Sequence, residues 1–359
     1  MKKKSTRFLR VIQGILIFFG ILLLAGASTF GILWWKGREN LLKGRPIIQE
    51  MERTVKGESN RTGKKSEEFL DEGEISYFGK KYRYKNDLIN ILCMGVDRTR
   101  LREDEAVYGE GGQADAIILL SLNAKNGAIT LLHISRETIA EIELYTETGR
   151  YAGMEPKQLC LAYSYGDGRE KSCENIGRAV SRLLYGTPIQ AYLAVDMSVI
   201  RTLNDAIGGV EVVLAEDSSK FLANGTPGDT YLLMGDEAYD YVHYRDYKGE
   251  DAPIDSNAQR MVRQKQYLEG FIQKALEQSR RDLCLPLRLF GKITADMVTS
   301  LTPSDISYLA SLAVKRENEV IRMESVPGKT ILGDDGYARY LVDDEKLFAL
   351  ILGLFYEAE

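Results

Sequence analysis

Three short apolar runs stand out from the polar sequence around them. They cover Ile91–Val96, Ile117–Leu122 and Ile129–Ile134. Each run is rich in Ile, Leu and Val and is bounded by Gly, Asn, Asp or Ser, a pattern typical of buried strands. Asn126 and Gly127 separate the last two runs and favour a tight hairpin, so we expect those two strands to be antiparallel neighbours.

Strand and helix patterns continue after these runs. A further strand is expected to end near Tyr145. The apolar spacing predicts helices over 175–185, 197–206, 235–244, about 255–278 and about 343–355, with strands over 189–195, 208–214 and 320–326. This alternation predicts an α/β fold with a mixed β-sheet flanked by helices on both faces.

Charged residues follow or begin the three central runs. Asp97, Asp115 and Arg136 lie at strand ends, and strand ends open onto clefts in α/β sheets. Two carboxylates that converge there favour a Mg²⁺ or Mn²⁺ site facing a phosphorylated ligand. The alternative is that the two carboxylates cap loops and Arg136 pairs with one of them.

The N-terminus predicts a membrane anchor. Five basic residues within positions 1–13 precede an uncharged apolar segment, Gly14–Trp35, which is long enough to cross a bilayer. The charge bias predicts a cytoplasmic N-terminus and an extracytoplasmic remainder, with the two tryptophans in an interfacial belt. A cleavable signal peptide is the alternative, because Ala25-Gly26-Ala27 resembles a cleavage site. The apolar sequence continues beyond Ala27, which favours an uncleaved anchor.

The sequence then divides into a charged segment and a large domain. Residues 36–87 carry 13 basic and 10 acidic side chains without a sustained apolar period, which predicts a stalk. Residues 88–359 carry 29 basic and 42 acidic side chains and form the predicted extracytoplasmic domain. This acidic balance argues against nucleic acid as a partner.

The cysteines and histidines give little sign of a zinc site. There is no CxxC pair, and the chain contains two histidines. Cys93 is expected to be a buried apolar residue and His133 a core histidine. Cys160 and Cys173 are thirteen positions apart, and in an extracytoplasmic domain they either form a disulfide or remain free.

The helix predicted over 255–278 begins with an unusual cluster. Asp255 or Ser256 is expected to cap it, which would place Arg260, Arg263 and Gln264 near its N-terminus. Cations are unfavourable at this end of a helix dipole, and a bound anion would offset that cost. The alternative is an ordinary solvent-facing surface.

Several ordered motifs resemble the LytR–CpsA–Psr family. These motifs are GVDRT, SRET, LAYSYGDG, DAIGGVEV, LMGDEAYDYVHYRDY and the D-x-x-x-x-R-x-x-R-Q start of the long helix, and they cover roughly residues 88–350. The resemblance implies a membrane-anchored phosphotransferase of Gram-positive envelopes. Such an enzyme moves a glycopolymer from a polyprenyl-pyrophosphate carrier to a peptidoglycan acceptor.

The resemblance also implies roles for particular residues. Asp97 and Asp115 match the acidic pair linked to Mg²⁺, and with Arg136 they form the implied catalytic set. The implied pyrophosphate-binding residues are Arg136, Arg245, Arg260, Gln264, Gln113 and His243.

Two of these positions differ from the family pattern. Gln113 and His243 stand where the family usually has arginine, which removes positive charge from the implied phosphate site. Arg98, Arg100 or Arg263 could compensate. The lost arginines leave open a non-catalytic envelope regulator or lipid-binding protein, and the same residues would also support hydrolysis of a polyprenyl pyrophosphate. The sequence identifies neither the glycopolymer nor the acceptor.

Overall fold

The computed structural model describes residues 28–48, 67–70, 74–98, 101, 107–222, 225–246, 252–315 and 321–359. The first described helix, α1, covers residues 28–38 and continues into a π-helical turn, Glu39–Lys43. The helices that follow are α2 (Leu161–Ser164), α3 (Glu170–Leu183), α4 (Val199–Ala206), α5 (Gly235–His243), α6 (Ala252–Arg281), α7 (Leu285–Lys292), α8 (Pro303–Lys315) and α9 (Asp344–Phe355). The strands are β1 (Glu67–Leu70), β2 (Glu74–Tyr77), β3 (Lys80–Tyr84), β4 (Leu88–Val96), β5 (Ala114–Asn123), β6 (Ile129–Ile134), β7 (Ile139–Tyr145), β8 (Tyr151–Gln158), β9 (Ala191–Asp196), β10 (Val210–Val213), β11 (Thr230–Leu233), β12 (Met297–Thr299), β13 (Arg322–Ser325), β14 (Gly328–Leu332), β15 (Ala338–Val342) and β16 (Tyr356–Ala358).

Six strands form the central mixed sheet, in the order β12-β9-β4-β5-β6-β13. The three apolar runs of the sequence occupy its middle as β4, β5 and β6. β5 and β6 pair antiparallel, and Gly127 adopts the positive φ of 73° that the hairpin requires. The predicted hairpin is therefore confirmed. β4 and β9 are parallel, as are β6 and β13, whereas β4 and β5 are antiparallel.

Helices cover both faces of this sheet, as predicted. On one face, Leu92 and Met94 belong to a buried cluster that includes side chains of α3 and α9. On the other face, Ile89 and Ile91 pack in a cluster with α1, α6 and α8. Alternate residues of β4 thus face opposite layers, and the strand is buried on both sides.

The end of the predicted membrane span packs on the domain. Most of that span falls on residues 1–27, which lie outside the described part of the chain. Within the described part, no helix is both apolar and long enough to cross a membrane. Trp34 donates from its indole N–H to Ser311 Oγ at 2.7 Å and packs edge-on against Tyr308 of α8. Its predicted place in an interfacial belt stays a prediction.

The described parts of residues 36–87 differ from the predicted stalk. Leu41 and Ile48 are buried, and Ile48 forms a β-bridge with Ile189. β2 pairs with β3, and β3 pairs with the C-terminal β16. These elements contain few apolar residues, so the composition of the segment did not reveal them.

The predicted strands that contain Tyr145 and Val210 are present as β7 and β10. Both lie outside the central sheet, in the two-stranded pairs β7–β8 and β10–β11. Helix α6 begins at Ala252, so Arg260 is its ninth residue, and the argument from the first-turn dipole does not apply. Cys160 and Cys173 do not form a disulfide; both are buried free thiols. The Cys160 thiol lies beside Arg136 and that of Cys173 beside Tyr163, so they occupy different surroundings.

Candidate active site

The pairing of the three central strands brings the predicted site residues to one edge of the sheet. β4 ends at Val96, antiparallel β5 begins beside it, and β6 ends beside the start of β5. Asp97 follows β4, Asp115 is the second residue of β5, and Arg136 follows β6. The backbone N–H of Asp97 donates to the Gln113 carbonyl at 3.1 Å, which fixes the two segments together. The expected convergence of the two carboxylates and the arginine is therefore confirmed.

These side chains line a cavity of about 590 Å³ whose other wall comes from α5 and α6. Seven of the eight predicted site residues line it; Gln264 does not. The full lining comprises Asp97, Gly112, Gln113, Asp115, Arg136, Tyr239, His243, Arg245 and Arg260. Three arginines against two aspartates give the cavity a net positive charge, in contrast to the acidic domain around it. Such a cavity favours anions.

Arg136 is held by the opposite strand. Its guanidinium forms an ion pair with Asp115 and donates from Nη2 to Gln113 Oε1 at 2.7 Å. Among the described residues, Arg136 Nε is buried and has no hydrogen-bond partner. Gln113 thus uses its acceptor to orient Arg136, a contact that an arginine at this position could not make. Part of the loop-capping alternative also holds, since Arg136 does pair with one of the carboxylates.

Arg245 and Arg260 supply the remaining positive charge. Arg245 lies just beyond α5, with Nη2 at 4.0 Å from a carboxylate oxygen of the buried Glu137. Arg260 is only 5% exposed. Burial, together with repulsion from Arg245 and Arg136, lowers the pKa of Arg260 to about 10. An anion bound in the cavity would relieve this repulsion.

His243 lines the cavity and belongs to a stack of three side chains with Tyr239 and Arg201. Its ring stacks on Tyr239 with centroids 4.1 Å apart, and the Arg201 guanidinium lies 3.7 Å from the Tyr239 centroid. Two groups this close to one ring must lie on its opposite faces. Arg201 is also paired with Asp236. Burial and the proximity of Arg260 lower the pKa of His243, so His243 is neutral at pH 7.

Gln264 and His133 lie behind the cavity wall. Gln264 Nε2 donates to the Val242 carbonyl at 3.1 Å, and Gln264 also hydrogen-bonds the His133 side chain. These contacts tie α6 to the end of α5 and to β6. Burial and Arg260 lower the pKa of His133 to about 4, so it is a neutral core histidine, as expected. The pyrophosphate-binding role of Gln264 stays a prediction.

Arg263 is not a substitute for the missing family arginines. It is fully buried, where it pairs with Asp217, donates from Nε to the Tyr241 carbonyl at 2.8 Å and also donates to the Tyr244 carbonyl. These bonds fix the end of α5 to α6, so the role of Arg263 is structural. Arg98 packs beside Gly112 at the cavity rim, whereas Arg100 lies outside the described residues.

The acidic pair suits a divalent cation that is shared with a ligand. Mg²⁺ is commonly bound by one or two carboxylates, several waters and substrate phosphates. Asp97 is exposed and Asp115 is partly exposed beside Arg136, so both have oxygens that face the cavity. No group of three or more His, Cys, Asp or Glu side chains is placed for a metal within the described ranges. The residues therefore fit a metal held jointly with phosphate.

Several residues of the site were not predicted from the sequence. Tyr239 and Gly112 line the cavity, Glu137 lies beside Arg245, and Arg201 supports Tyr239. The sequence signal for Tyr239 was its spacing of four from His243, which places both side chains on one face of a helix. Arg201 is distant in the sequence and gave no such signal.

Comparisons with known proteins agree with this fold. A protein named polyisoprenyl-teichoic acid–peptidoglycan teichoic acid transferase TagU, from Halalkalibacterium halodurans, is 32% identical over 196 residues, or 53% of this chain and 54% of that protein. The chain thus spans about half the length of that relative. TagU of Enterococcus faecalis is 23% identical over 340 residues, or 92% of each protein. The crystal structure of B. subtilis TagV superimposes with a TM-score of 0.54 and 21% identity, over 75% of this chain and 97% of TagV. The model of the LytR_cpsA_psr family matches residues 49–351, so this chain belongs to that family.

Proposed function

We propose that this protein is a phosphotransferase that moves a glycopolymer from a polyprenyl-pyrophosphate carrier to peptidoglycan. The observation that carries the proposal is the convergence of Arg136, Arg245 and Arg260 with Asp97 and Asp115 in one cavity. The names of the relatives, polyisoprenyl-teichoic acid–peptidoglycan teichoic acid transferases, support both partners.

The arginines suit a diphosphate because each guanidinium offers several donors in a fixed plane. Arg260 approaches from α6, Arg245 from the end of α5 and Arg136 from the sheet. Three directions of approach allow the charge of both phosphates to be met at once. The free energy that repulsion among these cations costs the unliganded protein is recovered when the anion binds.

The reaction is a displacement at phosphorus. An acceptor hydroxyl of peptidoglycan attacks the phosphorus that carries the glycan, and a new P–O bond forms. The bond to the bridging oxygen breaks, and polyprenyl monophosphate leaves. The hydroxyl proton would pass to a carboxylate oxygen of Asp97 that is not bound to the metal, since Asp97 is the exposed carboxylate of the cavity. The arginines stabilise negative charge on the phosphoryl oxygens as the transfer proceeds.

Two further parts of the proposal concern the metal and the location. Asp97 and Asp115 would hold Mg²⁺, or Mn²⁺, which when bound neutralises charge on the diphosphate. The basic N-terminus and the apolar segment Gly14–Trp35 support a single-pass membrane protein whose domain lies outside the cytoplasm. In that orientation the domain meets both a membrane-borne donor and the cell wall.

The proposal is tested with the full chain, a polyprenyl-pyrophosphate-linked glycan, Mg²⁺ and purified peptidoglycan. We expect the glycan to become attached to peptidoglycan, and we expect EDTA and Asp97→Asn each to reduce the rate at least about a hundredfold. Release of free glycan phosphate at the same rate without peptidoglycan would instead establish a hydrolase. Donor binding without either reaction would establish a lipid-binding protein.

A further inference from the structure

A row of three tyrosines lies on the surface beside the cavity. Tyr145 ends β7, Tyr151 begins β8 directly opposite, and Tyr108 belongs to a separate loop. The ring centroids of Tyr108 and Tyr145 are 6.1 Å apart, and those of Tyr145 and Tyr151 are 5.8 Å apart. Tyr151 is 59% exposed. Tyr108 and Tyr145 are half-buried, so the row presents one exposed ring with two partly exposed rings behind it.

The protein holds these rings in place. Tyr145 donates its hydroxyl proton to Glu143 at 2.7 Å, and Arg178 donates to the Tyr145 oxygen at 3.2 Å. Gly149 in the hairpin turn has φ 72°, and a Cβ added there would lie 3.0 Å from the Tyr108 ring. The turn therefore leaves space for Tyr108 to pack against the hairpin. Little conformational entropy remains to be lost by Tyr145 when a ligand binds.

The tyrosine row is close to the cavity along a fixed segment. Tyr108 is four residues before Gly112, which lines the cavity, so at most about 14 Å of extended chain separates them. Ser164 holds this segment at two points, since its carbonyl accepts from Gly109 N–H at 2.8 Å and its Oγ donates to the Gly112 carbonyl at 2.6 Å. A saccharide chain that leaves the cavity at this rim would reach the tyrosines.

The charges around the row differ from those of the cavity. Glu143 is paired with Arg178 and Arg182, and Lys157 with Glu155. Arg178 and Arg182 converge on the one Glu143 carboxylate, which offsets part of their positive charge. A phosphate-rich donor polymer would therefore gain little here. Sugar rings would gain more, because the apolar C–H faces of pyranoses pack well on tyrosine rings.

We propose that Tyr108, Tyr145 and Tyr151 form a binding platform for the sugar rings of the acceptor, the glycan strand of peptidoglycan. This inference rests on the proposed function. The cationic cavity would take the donor diphosphate, and the tyrosine platform would present an acceptor hydroxyl to it. The platform thereby gives the enzyme a means of selecting its acceptor that is separate from donor binding.

The test measures binding of the full chain to soluble glycan strands from which an amidase has removed the stem peptides. We expect Tyr151→Ala to weaken binding about five- to tenfold, and Tyr151→Trp to retain it. Tyr337→Ala is the matched control, because Tyr337 is 69% exposed on the β14–β15 hairpin and should not affect binding. Tyr108→Ala should weaken binding similarly, and thermal unfolding establishes that each variant is folded.

Two results would overturn this inference. One is glycan-strand binding by folded Tyr151→Ala that equals binding by the Tyr337→Ala control. The other is a loss of binding to a delipidated anionic glycopolymer with no loss for the glycan strands, which would assign the platform to the donor. The assay contains no lipid donor and no metal. A failure of transfer activity would therefore be distinguishable from a failure of the platform.

Discussion

The substitution Arg260→Met should change the stability of the protein and its binding of a diphosphate in opposite directions. Burial and repulsion from Arg245 and Arg136 lower the pKa of this 5% exposed guanidinium to about 10. At pH 7 the charged form therefore carries a cost of about 3 kcal/mol in the folded state. Methionine removes the charge and keeps a long apolar stem. Some packing is lost, so we expect the free energy of unfolding to rise by about 1–2 kcal/mol.

The same substitution should impair binding of a polyprenyl diphosphate. A charge-assisted hydrogen bond contributes about 1.5–3 kcal/mol, so its loss weakens binding roughly ten- to a hundredfold. Chemical denaturation of the unliganded full chain measures the first effect, and titration with the diphosphate lipid measures the second. Arg280→Met, an exposed position near the other end of α6, is the control and should change stability by less than about 0.5 kcal/mol.

The two effects must have opposite signs for the reasoning to hold. A folded Arg260→Met protein that is less stable than the native chain and binds the diphosphate normally would show that Arg260 is a structural residue. Lower stability together with lost binding would show that attraction to Asp115 and Glu137 outweighs burial and repulsion. In either case the account of a cavity strained by its own cations would be wrong.

Three further predictions follow from neighbouring groups. The pKa of His133 is about 4 in the folded protein and near 6.5 in the unfolded chain. The free energy of unfolding should therefore fall by up to about 3 kcal/mol as the pH drops from 6.5 to 4. His133→Asn should remove most of this loss in denaturation curves recorded across that range. His243→Arg should strengthen diphosphate binding about tenfold or more, because it restores a cation in the cavity. Gln113→Arg should give no comparable gain, because Gln113 accepts a hydrogen bond from Arg136. Titration of both variants with the diphosphate lipid checks this contrast, and equal gains in affinity would contradict it. All four cysteine thiols are free, so alkylation of the denatured, unreduced chain should add four labels by mass spectrometry, and two labels would establish a disulfide.

The sequence predicted the central strands and the convergence at their ends because both depend on local patterns. The runs that became β4, β5 and β6 are continuous and apolar, and the turn at Gly127 fixes the pairing of β5 with β6. Asp97, Asp115 and Arg136 then meet as a consequence of antiparallel pairing. Family motifs added Arg245, which lies just beyond α5, and gave Arg260 on α6 its implied role. No local pattern specifies how these helices pack.

The features that were missed depend on contacts between distant segments. The strand β3 pairs on one side with β16, at the other end of the chain. Arg201 reaches the cavity wall through Tyr239, and Gln113 differs from the family pattern yet orients Arg136. The start of α6 at Ala252 was misplaced because polar residues in its first turns resemble a loop.

The most direct test of the account follows a single phosphorus atom. A polyprenyl-pyrophosphate glycan is labelled with ³²P at the phosphorus that carries the sugar and is incubated with the full chain, Mg²⁺ and peptidoglycan. Displacement at that phosphorus, assisted by Arg136, Arg245 and Arg260, predicts that the label enters peptidoglycan and that unlabelled polyprenyl monophosphate is released. Label that stays with the lipid while the glycan reaches peptidoglycan would show attack at the sugar carbon, and would contradict the phosphotransferase assignment.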